Sequence, residues 1–326
     1  MDISVIVPIY GVEKYIEKSL RSLFSQTKTE GVEFILVNDC TPDRSMEIAR
    51  EVAADFHALD IKIVEHKTNQ GVATARQSGL DAATGEYTTH FDPDDWCEAN
   101  MLEEMYACAI DNGADVVVCD YIFTKNGVNK YEAEIVGNNG VECMRNLITN
   151  KMRGFLCPKL IKRSIIIENN ITFYNGLNLC EDLLFSLSVF AKTDKIIHLQ
   201  KAYLHYLYRD SSLTSVNDIK KRLPLVRVVE EIENTTSKTL QPDNFYDELT
   251  FIKIRFKQFI LDVGDLTIFD QYGSIYPEII PHIMANKNYS FIRRLGLYLE
   301  SKYPKGIGRL TFITLRALRK IKKHIS

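Results

Sequence analysis

The first half of the chain alternates short apolar runs of strand length with segments of helical periodicity, and few folds accept that order. Ile3 to Ile9 is a continuous apolar run closed at Pro8-Ile9-Tyr10-Gly11, and Ile16, Leu20, Leu23 and Phe24 follow at helical spacing. Phe34 to Val37 reads as a second buried strand stopping at Asn38-Asp39, and Ile61 to Glu65 as a third. Between them Thr41-Pro42-Asp43 predicts a helix start, with Thr41 as N-cap and Pro42 in the first position, and Ile48, Val52 and Phe56 as its core face. A helix over Val72 to Ala83 and a strand over Tyr87 to Phe91 come next, then a helix from about Glu98 to Gly113 and a strand over Asp115 to Asp120. Strands separated by helices in this rhythm make right-handed βαβ units, hence an α/β fold with a mainly parallel sheet flanked by helices. Ligands of such sheets bind at the carboxyl ends of the strands. The polar clusters Pro8–Tyr10, Asn38-Asp39, His66–Asn69 and Asp92–Asp95 all fall there.

A chain of 326 residues is longer than one hydrophobic core usually serves. The texture changes near residue 215, so the reading is a catalytic α/β domain over 1–215 and a helical region over 216–326. Leu223–Ile232, Leu249–Val263 and Phe291–Leu299 are its clearest helices. A net charge of −3 argues against nucleic acid as a partner. From Ser301 to Ser326 there are eight Lys or Arg and no Asp or Glu, leaving the remainder at −11. Leu310, Ile313, Leu318 and Ile321 lie among Arg316, Arg319, Lys320, Lys322 and Lys323, the pattern of a basic amphipathic helix. Such a helix either touches an anionic membrane or packs on the domain as a solvated helix. Met1-Asp2 runs straight into the first strand without a signal-like segment, and no run of about 18 apolar residues exists. The chain therefore reads as soluble and cytoplasmic, with any membrane contact peripheral and on the inner face. Seven cysteines without CxxC spacing read as structural.

No GxGxxG follows the first strand and no GxxxxGK[ST] occurs, so the phosphate cradles of dinucleotide dehydrogenases and P-loop NTPases are missing. Asp92-Pro93-Asp94-Asp95-Trp96 offers another way to hold phosphate. Two carboxylates leaving a buried strand suit Mg²⁺ or Mn²⁺, with Pro93 stiffening the pair; a simple turn is the other reading.

Ser4–Tyr10, Val37–Asp43, Asn69–Arg76 and Gly85–Tyr87 resemble, in order and spacing, the inverting family 2 glycosyltransferases of GT-A, Rossmann-like fold. Asp92–Trp96 looks like their DxD motif, and a weaker match runs on through Pro158–Leu160, Glu181-Asp182 and Tyr208-Arg209. The resemblance covers about two thirds of the chain. It implies that Pro8, Tyr10, Asn38, Asp39, Asn69 and Arg76 surround the donor nucleotide, and that Asp92 reaches the ribose. Asp94, with Asp92, would hold the metal, and His205 would either join them or be structural. The family usually has two aspartates where this chain has Asn38-Asp39, which loosens the base preference. Asp182 would be the general base and Glu181 would position the acceptor. Arg209 would neutralise the diphosphate, assisted by Tyr208. Trp96 would floor the sugar or acceptor pocket, or pack in the core.

The resulting expectation is a metal-dependent inverting transferase. It would move a sugar from a nucleotide diphosphate sugar, preferentially a UDP-sugar, to a hydroxyl of a glycan or lipid-linked acceptor in surface polysaccharide synthesis. The alternatives are a nucleotidyltransferase releasing pyrophosphate and an inactive sugar-nucleotide- or glycan-binding module. The first lacks a glycine-rich, lysine-bearing loop, and the second would have no use for Asp92, Asp94, Asp182 and Arg209 together.

Overall fold

The computed structural model describes residues 1–208, 218–239, 245–263, 265–287 and 289–325, with side chains as far as residue 316. It divides into two units, 1–212 and 213–326.

The first unit is built on one mixed sheet. Strands β1 (Ile3–Ile9), β2 (Val32–Asn38), β3 (Asp60–Glu65) and β4 (Tyr87–His90) pair in parallel in the order β3-β2-β1-β4. β1 is buried along its whole length, as a parallel strand covered on both faces must be, which explains its unbroken apolar run. Helices α1 (Ile16–Phe24), α2 (Ser45–Asp55) and α3 (Val72–Ala82) make the crossovers. α2 begins four residues after Thr41. The Asp43 carboxylate, rather than Thr41, accepts from the Ser45 N–H at 3.1 Å, while the Thr41 hydroxyl donates to Asp43.

Beyond β4 the chain forms β5 (Trp96–Cys97), α4 (Met101–Asn112), β6 (Val116–Lys125) and β7 (Val128–Glu132). These are followed by α5 (Gly140–Ile148), β8 (Lys159–Lys162), α6 (Arg163–Glu168), α7 (Glu181–Phe190) and β9 (Ile196–Leu207). β8 inserts antiparallel between β4 and β6, so the expected parallel neighbours are separated by one reversed strand. β9 runs parallel to β6 and β5 antiparallel to β9. The β6–β9 pairing is irregular at Asp120: Cys119 faces Leu199, Asp120 faces Ala202 and Tyr121 faces Leu204. This bulge re-aims the last residues of β9. The main core lies between β1, β2, β6 and α1, α2, α4.

The second unit is helical: α8 (Ile219–Arg222), α9 (Leu225–Ser237), α10 (Tyr246–Val263), α11 (Leu266–Tyr272), α12 (Ile280–Ile283), α13 (Phe291–Lys302) and α14 (Ile307–Ile325). Ile254, Leu261, Phe269, Ile279, Ile283, Leu297 and Phe312 form a core within it, and Phe269 stacks on Phe312 at 4.7 Å. Among the described residues no helix is long and apolar enough to cross a membrane.

Candidate active site

The loops leaving β1 to β4 converge as the sequence predicts, and each polar residue there has a partner that fixes it. Asp39 is buried, and its carboxylate takes four hydrogen bonds. Gln70 N–H donates to Oδ1 at 2.8 Å, while Gly71 N–H and Asn69 Nδ2 donate to Oδ2 at 2.8 and 3.0 Å. His66 Nδ1 lies 2.8 Å from Oδ1, and its Nε2 lies 2.9 Å from the Ser78 hydroxyl. Asp39 thus ties the end of β2 to the loop before α3. Asn38 faces away into a turn: its amide oxygen accepts from Thr41 N–H at 3.0 Å and its Nδ2 donates to Glu65 at 2.6 Å. Pro8 is buried within β1, whereas Tyr10 stands half exposed on the loop that follows.

Arg76 occupies the centre. Its guanidinium is buried and donates to Asp92 Oδ1 at 2.7 Å and to Glu181 Oε1 at 2.6 Å. Burial alone would lower its pKa, but Asp92, Glu181 and Asp182 hold it above the ordinary arginine value. The sequence expectation put Arg76 against the nucleotide; its side chain bridges the strand-end carboxylate and the start of α7. The same helix, α3, is strapped to residues 173–178: Ala73 N–H donates to Asn178 Oδ1 at 3.1 Å, and Gln77 Oε1 accepts from Phe173 N–H at 2.9 Å. Gly71, at φ +88°, lets Asn178 come in, since a Cβ there would lie 2.2 Å from its amide nitrogen.

Glu181 and Asp182 form the first turn of α7, where acids complement the helix dipole. Burial pushes the Glu181 carboxyl up to about 7; Arg76 opposes the rise and Asp182 adds to it. Asp182 is partly exposed and accepts from Leu183 N–H at 2.7 Å. Lys159, from the Pro158–Leu160 segment, is buried and donates to the carbonyls of Arg153, at 2.9 Å, and Phe155. Its pKa is lowered by burial and supported by Glu134 and Asp182.

After β4, the structure groups Asp92 with Asp95 and Cys157, whose ligand atoms lie within 4.8 Å of one another. Asp94 is half-buried beside them and is not one of the three. Asp95 is buried, and its Oδ1 accepts from Leu207 N–H at 2.8 Å, which anchors the end of β9. Asp92 N–H donates to Cys157 Sγ at 3.3 Å. Burial, then Asp92 and Asp95, push the Cys157 thiol well up, and a soft sulfur suits neither Mg²⁺ nor Mn²⁺. The carboxylates, hard oxygen donors on a turn stiffened by Pro93, fit Mg²⁺ or Mn²⁺; the thiol does not.

The remaining expected residues lie on β5 and at the end of β9. His205 Nε2 is 2.7 Å from Glu98 Oε1, and its ring stacks on Trp96 at 5.0 Å, across the β5–β9 pairing. That nitrogen is committed to Glu98, while Nδ1 is buried with no hydrogen-bond partner. Trp96 also carries the Lys18 ammonium 2.9 Å from its ring centroid, so its ring has neighbours other than a sugar. Tyr208 packs against Phe123 and under the Lys125 ammonium. Arg209 lies outside the described residues. Sequence reasoning places Tyr206 in the aromatic and basic segment Lys201–Arg209 but gives it no role of its own. Its ring stacks on Phe155 at 4.7 Å, and burial followed by Asp95, Asp92, Asp94 and Asp182 pushes its hydroxyl pKa up. The phenol thus lies within the electrostatic reach of four carboxylates. Only its place among the aromatic residues 203–208 hinted at this.

Residues 4–169 match the model of Glycosyl transferase family 2. The chain belongs to that family. Among family relatives, the uncharacterized glycosyltransferase EpsJ of Bacillus subtilis is 31% identical over 222 residues, 66% of this chain and 63% of EpsJ. The poly(ribitol-phosphate) beta-N-acetylglucosaminyltransferase TarS of Staphylococcus aureus is 26% identical over 307 residues, 93% of this chain and 47% of TarS. This chain thus spans less than two thirds of either relative. The structure of TarS residues 1–349 with UDP-GlcNAc superposes with a TM-score of 0.71 at 19% identity, covering 99% of this chain and 92% of that one. The mannosyltransferase PcManGT of Pyrobaculum calidifontis, solved with GDP-Man and Mn²⁺, gives 0.53 at 15% identity over 98% and 87%. At these identities the two structures speak for the fold.

Proposed function

We propose that this chain is an inverting glycosyltransferase that moves a sugar from a UDP-sugar to a hydroxyl of a glycan or lipid-linked acceptor, with a divalent cation, in surface polysaccharide synthesis. The observation that carries the reading is Arg76, bonded at once to Asp92 and Glu181. One buried guanidinium thereby holds the donor-side and acceptor-side carboxylates in a fixed relation, which an in-line displacement between two substrates requires. The UDP-GlcNAc bound to TarS and the Mn²⁺ bound to PcManGT support the donor and the ion.

Asp92, with Asp94 or Asp95, would hold the cation, which supplies positive charge to the departing diphosphate. Asp39, its oxygens bound by loop donors, keeps the nucleotide loop in place beside Tyr10 and Asn69. Asp182 takes the acceptor proton as the C–O bond forms, and Glu181 positions the acceptor. Tyr206 keeps its proton and offers a donor hydroxyl to the same space. Arg209 would neutralise the diphosphate. A single displacement inverts the anomeric carbon, so an α-linked donor gives a β-linked product; NMR of the product showing a retained α-linkage would refute this.

Calorimetric titration of UDP, GDP, CDP and ADP, each with and without Mn²⁺, tests the site. Tight binding of UDP only with Mn²⁺ is the expected result. Metal-independent binding, or none, would reduce Asp92-Pro93-Asp94-Asp95 to a turn.

A further inference from the structure

The last two helices of the C-terminal unit leave apolar surface in water that the core does not use. α13 turns Gly296, Leu297, Glu300 and Ser301 inward. A Cβ on Gly296 would lie 2.5 Å from Leu315, so α13 and α14 touch along that side. Among the described side chains of α14, Gly308 and Phe312 are buried. On the outer sides Phe291, Ile292, Leu295, Ile307, Leu310 and Ile313 are each between 38% and 68% exposed. Ile307, Leu310 and Ile313 recur every three residues and form one stripe. Singly exposed apolar residues are ordinary, but six within one helical hairpin mark an interaction surface.

Charge identifies what the surface meets. Residues 301–326 carry eight Lys or Arg and no acid, and Arg293 and Arg294 precede them. Lys302 and Lys305 are exposed at the hairpin turn beside Tyr303, itself 43% exposed. A second copy presenting the same face would bring two surfaces of net positive charge together, at a Coulombic cost. An anionic bilayer takes the apolar side chains at its acyl boundary and gains about 1 kcal/mol per basic residue near its surface. We propose that the α13–α14 hairpin docks on an anionic lipid bilayer. The proposal extends the reading of a lipid-linked acceptor and rests on it for the acceptor alone.

The test is co-sedimentation of the full chain, without donor or acceptor, with vesicles of phosphatidylcholine alone or of phosphatidylcholine with phosphatidylglycerol. Binding to the phosphatidylglycerol vesicles that falls as salt rises is expected. The double variant Leu310→Glu with Ile313→Glu should weaken it roughly tenfold or more. Val128→Glu, an exposed apolar site on the other unit, should leave it unchanged. If circular dichroism shows the double variant unfolded, charge reversal at Lys302 and Lys305 carries the same expectation. Absence of sedimentation, undiminished binding by folded variants, or vesicle-independent self-association lost in the variants would each overturn the proposal. Vesicle binding without any sugar transfer would instead strike the transferase reading and leave the docking surface standing.

Discussion

Arg76 in the N-terminal unit and Lys257 in the C-terminal unit are both excluded from water, but the two units treat a buried cation differently. Arg76 meets two carboxylates, at 2.6 and 2.7 Å, and keeps its charge. Lys257 donates to a single carbonyl, Ile275 O, at 2.7 Å, and burial pushes its pKa down to about 8 in spite of Glu300 and Glu278. In the first unit the desolvation cost of a charge is offset because that charge orders a site. In the second, the lysine is an incidental polar end on a helix whose burial the apolar core decides. A buried ion pair is poor proof of stability in general, but breaking one side of it is costly.

That contrast can be broken experimentally. Arg76→Met leaves Asp92 and Glu181 uncompensated and should cost about 3–5 kcal/mol in urea unfolding, with sugar transfer abolished. A loss below about 1 kcal/mol would mean that the two carboxylates do not depend on Arg76. Asp182→Asn comes next. It should lower kcat by roughly 10²–10⁴ while UDP affinity and the melting temperature hold, because the group acts on the acceptor proton. Loss of nucleotide binding in parallel would make Asp182 a structural residue. The smallest effect concerns Lys257. Its folded pKa lies below the unfolded value of about 10.4, so between pH 8 and 10 the unfolded chain binds more protons and stability rises with pH. In Lys257→Met that rise, on the order of 1–3 kcal/mol, should vanish, measured as the difference in slope between the two proteins. Identical slopes would mean that Lys257 is as well solvated as a surface lysine.

What sequence reasoning could see follows the same division between local and distant pairing. The strands β1 and β2 are covered on both faces, so their mainly apolar runs announce themselves, whereas the buried β4, Tyr-Thr-Thr-His, is legible only from its place in the βαβ rhythm. β8 is four residues with a lysine at each end, and β9 mixes buried, partly buried and exposed positions without alternation, so neither carried a readable period. The site divides in the same way. Asp92 is found from its place just after a buried strand, and Glu181-Asp182 from the family resemblance. Cys157 and Tyr206 reach Asp92 and Asp95 only through β8 and β9, whose pairings join residues far apart in the chain. Asn38 and Asp39 look alike in sequence, yet one closes a turn and the other holds the loop before α3. Thr41 shows the limit at short range too, since the acid two residues later outcompetes it for the start of α2.

The bulge opposite Asp120 makes chain length a functional variable in its own right. β9 spends three more residues than β6 in passing from the Cys119–Leu199 pair to the Tyr121–Leu204 pair. Because successive side chains of a strand point to opposite faces, an odd surplus reverses which face each later residue of β9 presents. Deletion of any single residue between Leu199 and Leu204 would therefore trade Tyr206 for its neighbour over the carboxylates and take Leu207 N–H from Asp95, without altering one residue of the site itself. Gln200 is exposed and Lys201 reaches only Glu104 at the surface, so it is the number of residues here, more than their identity, that the site depends on.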